Sequence, residues 1–121
     1  MSVHFLVRLQ PLPGGEAEFR EELRRVVEAS RAEAGCLAIF AFESLREPPE
    51  FAIHSEWVDE ASFERHARLP HTRRFLRAAV KLLPCEIAGL RARRIAGGAG
   101  AASQGAASQG AAEAHAAPES R

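Results

Sequence analysis

Residues Cys36 to Phe42 read Cys-Leu-Ala-Ile-Phe-Ala-Phe, apolar on both of the faces that a β-strand presents. A strand of that kind needs cover on two sides. Helices of the same chain can supply one cover, but a small domain that left the other face bare would expose an apolar patch larger than soluble monomers usually carry. Two sheets packed face to face solve the problem, so this one segment already predicts a layered fold and a symmetric homodimer.

The neighbouring segments supply the layers. Val3, Phe5, Val7 and Leu9 alternate with His4, Leu6 and Arg8, the period-2 pattern of a strand, which Pro11, Pro13, Gly14 and Gly15 terminate. From Glu16 to about Glu33, Phe19, Leu23, Val26, Val27 and either Ala29 or Ser30 share one helical face, with Glu16/Arg20 and Glu21/Arg25 as i, i+4 pairs outside. Gly35 closes that helix, and Pro48 and Pro49 place a loop between the Cys36–Phe42 strand and a third strand, Phe51 to Trp57. Asp59 suits the start of a second helix, because a short carboxylate accepts hydrogen bonds from the first free N–H groups. Phe63, His66, Ala67 and Pro70 then fall at i, i+3, i+4 and i+7, which turns His66 inward. After a break at Leu69-Pro70-His71, Phe75, Leu76, Ala79, Leu82 and Leu83 recur at helical spacing, Pro84 stops the helix, and Cys85 to Ile95 predicts a last strand. The order β-α-β-β-α(α)-β is that of an α+β, ferredoxin-like fold: an antiparallel sheet in strand order 4-1-3-2 with helices on one face.

The folded unit predicted is 1–96. Residues 97–121 repeat Gly-Ala-Ala-Ser-Gln and carry no large apolar side chain, so disorder is expected there. That tail holds Glu113, Glu119 and Arg121, leaving 15 basic and 14 acidic residues in 1–96. So even a balance favours neither a nucleic acid nor an anionic membrane as partner. The row Arg73, Arg77, Lys81 reads as a solvated helix face. No apolar run is long enough to span a bilayer and no signal segment opens the chain; with two lone cysteines, Cys36 and Cys85, a reduced, cytoplasmic protein is expected.

The single tryptophan and two of the five histidines gather where the third strand meets the second helix, and a pocket is expected there. His66 suits a general base because imidazole titrates near neutrality; the alternative is a buried helix histidine satisfied by Glu56 or a backbone carbonyl. Trp57 either stacks on a substrate ring or anchors the strand end with its indole N–H at the rim. Glu56, on the opposite strand face from Trp57, reads as an orienting carboxylate or a solvent or dimer contact. His71 either caps the following helix or touches the pocket mouth. His4 and His54 sit on strand faces that could meet across neighbouring strands. Sequence spacing speaks against a metal site, since His66 and His71 are separated by Pro70 and share no helix face. No glycine-rich phosphate loop is present, and Cys36 and Cys85 would lie on opposite edge strands, which speaks against an intrachain disulfide.

Glu-Ala-Gly-Cys-Leu (33–37), Phe-Glu-Ser (42–44), Glu-Trp-x-Asp-x-x-x-Phe-x-x-His (56–66) and Pro-His (70–71), in that order, resemble the antibiotic biosynthesis monooxygenase family of dimeric α/β barrels, including its quinol monooxygenases. The resemblance covers roughly 3–95. It implies oxygenation of a small phenolic or quinol-like ring by dioxygen without metal, flavin or haem, in a cavity between helices and sheet. The same resemblance places His66 in that pocket, and with the residue reading above it gives His66 as the catalytic base and Trp57, Phe63, Glu56 and His71 as the expected substrate-binding residues. Haem-degrading relatives are similar in fold but use an asparagine in the first strand, a tryptophan in the helix and a histidine further along it. This chain has no asparagine in its first strand, has His66 nine residues after Trp57, and has Leu76 further on. A non-catalytic domain that dimerises or binds a small hydrophobe is the other reading.

Overall fold

The computed structural model describes residues 2–104. Its elements follow the order β1 (Val3–Leu9), α1 (Glu16–Arg31), β2 (Cys36–Glu43), β3 (Phe51–Trp57), α2 (Glu60–Ala67), α3 (Pro70–Leu82), β4 (Leu90–Ala92) and α4 (Ala101–Gln104). The four strands form one antiparallel sheet in the order β2-β3-β1-β4. That is the ferredoxin-like arrangement expected from the element order. The β1–β3 register sets Val3 opposite Trp57 and Leu9 opposite Phe51, so both strands send the same alternate residues toward the helices.

Helices α1 and α3 lie side by side on that face. Val7 and Leu9 from β1, Phe51 from β3, Phe19, Leu23 and Val26 from α1, and Phe75 and Ala79 from α3 close into one buried cluster. The α1 stripe continues into Ser30, not Ala29, and Ser30 is fully buried because its hydroxyl donates to the Val26 carbonyl at 2.7 Å. The i, i+4 pairs expected along α1 do not form as such. Arg20 instead makes a bidentate pair with Glu43 at the end of β2 (2.8 and 2.7 Å), and Glu16 turns back to the Gly14 N–H. A two-pronged bond across elements outweighs an exposed pair along one helix, and it holds the Glu43 carboxyl below its usual range.

Three expectations need correction. Pro70 is exposed and begins α3, where its missing N–H costs nothing, and Leu69 before it is extended (ψ 153°), as a residue preceding proline prefers. Leu76 is 40% exposed and so flanks the core. The last strand shrinks from 85–95 to Leu90–Ala92, and Cys85 lies exposed ahead of it. The chain first crosses the Phe5 ring at Gly89, where a Cβ would collide with that ring, and only then pairs with Leu6 and His4 of β1. Arg91 secures the short strand by lying over the Phe63 ring at 4.9 Å and pairing with Glu64 at 2.6 Å.

Among the described residues, the other sheet face carries no helix. Leu6, Phe40, Phe42 and Leu90 stand exposed on it around a polar centre, where His4 and His54 stack and bond through Nδ1 and Nε2 at 2.8 Å. Of the tail, Gly97 to Ser103 are exposed, and Ala101–Gln104 form the single turn α4; the expectation for 105–121 lies outside the described residues.

Candidate active site

The site is built where the turn after α1 meets α2. Glu33 sits in that turn, its N–H donating to the Ser30 carbonyl (3.0 Å) and its carbonyl accepting from the Cys36 N–H (3.0 Å). Two residues on, Gly35 packs against Ser62 so closely that a side chain there would collide with it, and the Gly35 carbonyl accepts from the Val58 N–H at 2.9 Å. Asp59 caps α2 by accepting from the Ser62 N–H (2.8 Å), which also holds its carboxyl below the usual range. This fixes the first turn of α2 against the Glu33 turn. His66 follows Ser62 by four residues, one helical turn along the same face, and so arrives at Glu33.

One carboxylate oxygen then joins two imidazoles. His66 Nδ1 lies 2.8 Å and His71 Nε2 2.6 Å from Glu33 Oε2, and the Thr72 hydroxyl lies 3.3 Å from His66 Nδ1. An ionised carboxylate only accepts, so each imidazole donates an N–H to it. For His66 this leaves the lone pair on Nε2, which has no hydrogen-bond partner among the described residues and is not sealed off as a buried orphan. Its ring rests on Trp57 (centroids 4.5 Å apart), with Phe63 at 5.9 Å.

Beside His66 lies an apolar cavity of about 150 Å³ between sheet and helices. Phe5, Ile53, Phe63 and Phe75 are among its walls, and its polar groups are His66, Thr72, Ser30 and Ser55. The five residues expected at the site therefore separate. His66 and Phe63 face the cavity. Trp57 does not; it is fully buried behind His66, and its indole N–H donates to Ser55 Oγ at 2.9 Å instead of reaching a rim. His71 stands outside the cavity lining, bound to Glu33. Glu56 is on the opposite sheet face, accepting from Ser2 Oγ at 2.7 Å and 3.7 Å from His4 Nε2, so it cannot orient His66.

Glu33 and Thr72 are the residues that spacing did not single out. Glu33 opens the Glu-Ala-Gly-Cys-Leu segment, and its position two residues before a tightly packed glycine was the available signal. The donor atoms of Glu33, His66 and His71 lie within 4.8 Å of one another, so the cluster also has the size to hold a metal ion. The separation of His66 and His71 along the chain does not prevent this, because the break at Pro70 folds α3 back and the third donor comes from a distant turn.

The family model described as antibiotic biosynthesis monooxygenase matches residues 2–78. Among solved structures, protein PA3566 of Pseudomonas aeruginosa is 30% identical, with a TM-score of 0.72, over 78% of this chain and 95% of its own. Protein Rv0793 of Mycobacterium tuberculosis is 20% identical with a TM-score of 0.75, over 82% of this chain and 100% of its own. A structure titled antibiotic biosynthesis monooxygenase is 20% identical with a TM-score of 0.72, over 78% of this chain and 99% of its own. A search of curated proteins returns no match.

Proposed function

The chain belongs to the antibiotic biosynthesis monooxygenase family, and from that premise we propose that it is a cofactor-independent monooxygenase that oxidises a small phenolic or quinol-type ring with dioxygen. The observation that carries this is His66 on the wall of an apolar cavity, its Nδ1–H held by Glu33 and its Nε2 free to accept a proton. The cavity bounds the substrate. At about 150 Å³ it matches the size of cavities that admit benzene, which favours one ring over two.

In this mechanism Nε2 takes the phenolic proton, and the phenolate, a far better electron donor than the neutral ring, reduces dioxygen. The radical pair combines at a ring carbon bearing hydrogen. Loss of water from the resulting hydroperoxide gives the quinone, so one oxygen atom enters the ring and the other leaves as water, with no outside reductant. Glu33 stabilises the imidazolium that forms, as a carboxylate does behind any His base, and the imidazolium faces the phenolate as its counter-charge. In a metal-depleted solution of monocyclic phenols and hydroquinones under air, the protein should speed oxygen uptake above the buffer rate. If every member of such a panel reacts no faster than in buffer, oxygenation fails and a non-catalytic binding domain takes its place.

We further propose that the working form is a homodimer of the 1–96 unit, paired through the uncovered sheet face and acting in the reducing cytoplasm with Cys36 and Cys85 as thiols. The support is the exposed group Leu6, Phe40, Phe42 and Leu90 on one face. Sedimentation should give twice the chain mass, with or without 97–121. A stable monomer at micromolar concentration would exclude it.

A further inference from the structure

We propose that Glu33, His66 and His71 form a site for one divalent first-row cation of the zinc class, and that binding moves the His66 proton from Nδ1 to Nε2. The donor set is two imidazoles and a carboxylate, which suits zinc and its neighbours and not magnesium or calcium, whose preference is for oxygen alone. The three donor atoms already gather within 4.8 Å of one another. Donors about 2.0–2.2 Å from a common ion lie roughly 3–4 Å apart, so the two contacts now at 2.8 and 2.6 Å have to lengthen to admit one. Small rotations of the two rings would open the space an ion needs.

The surroundings favour a cation. Among the described residues Glu33 has no Lys or Arg partner, only the two imidazoles, so with both rings neutral the cluster carries one negative charge. Glu33 Oε1 makes no side-chain hydrogen bond there and can serve as a further ligand. His66 and Glu33 are 12% and 13% exposed, whereas His71 is 27% exposed, which gives an entry side and room for water to complete the coordination. Neither Glu33 nor His71 lines the cavity, so the ion would sit behind His66 and not among the reacting atoms.

Binding needs no net loss of protons. A neutral imidazole coordinated through Nδ1 carries its proton on Nε2. His66 lines the cavity and Nε2 is its nitrogen not engaged by Glu33, so an occupied site turns the acceptor available to the substrate into a donor. This last consequence rests on the base role proposed above; the binding and the proton shift do not.

The test uses the full chain with Cys36→Ser and Cys85→Ser, which removes the competing thiols. Titrated with Zn²⁺ against a chromophoric chelator, it should take up one equivalent, while Mg²⁺ does not compete. His71→Ala should weaken binding by more than the roughly 10- to 100-fold that loss of an outer-shell partner costs, and Glu33→Gln should do the same. His54→Ala, on the opposite sheet face, should leave it unchanged. In ¹⁵N-histidine spectra, Zn²⁺ should move His66 Nε2 from a lone-pair to an N–H shift. Absence of stoichiometric binding, binding indifferent to His71→Ala and Glu33→Gln, or a His66 Nε2 that keeps its lone pair would each overturn the proposal. None of these readouts needs turnover, so failure of the oxygenase reading would not be mistaken for failure of the site.

Discussion

Replacing His66 by alanine is expected to lower the rate of ring oxidation by roughly 10²–10⁴, the usual loss when a general base is removed. The fold should survive. His66 is not a member of the main core cluster, and the alanine retains the helical position between the Asp59 cap and the Leu69–Pro70 break. What disappears is the only imidazole that lines the cavity among the described residues, with the nitrogen that Glu33 leaves unpaired. Glu33 would keep His71 as a partner, so no carboxylate is stranded. A variant that melts lower yet oxidises the ring as fast as the parent would make His66 a structural residue and end its role as base.

The second large effect is on stability. Phe19→Ala should cost about 3–5 kcal/mol, the range for emptying a buried aromatic site. Phe19 is fully buried, meets Phe51 edge-on with centroids 5.3 Å apart, and lies 5.9 Å from Phe75, so it joins α1 to both the sheet and α3. Domains of this size have only about 5–15 kcal/mol in total. Urea unfolding should show the midpoint fall by a large fraction with little change in slope. A loss under about 1 kcal/mol would mean the helix layer is held by something other than this ring.

Much of this fold was legible because two periodicities do not resemble each other. Alternation in Val3–Leu9 and Phe51–Trp57 and the i, i+4, i+7 stripe Phe19, Leu23, Val26 each admit one element type, and the element order then leaves few ways to connect them. Alternation also placed Glu56 across the sheet from Trp57, which separates it from His66. The shortness of β4 was not legible, because it depends on how the chain passes over Phe5, a contact between segments far apart in sequence. For the same reason His66 could be turned inward by its helix while its partner stayed unknown. Glu33 reaches it only through the close approach of Gly35 to Ser62, a fact of three-dimensional packing that local spacing does not encode.

The seat of Trp57 has a practical side. It is the chain's one tryptophan, fully buried, its indole N–H engaged by Ser55 and its ring against His66 at 4.5 Å. A protonated imidazole withdraws electron density from an excited indole far more readily than a neutral one does. The emission of this protein should therefore respond to the charge on His66, the imidazole in contact with that indole. It can be read continuously during a reaction, without a label and without background from a second fluorophore of its kind.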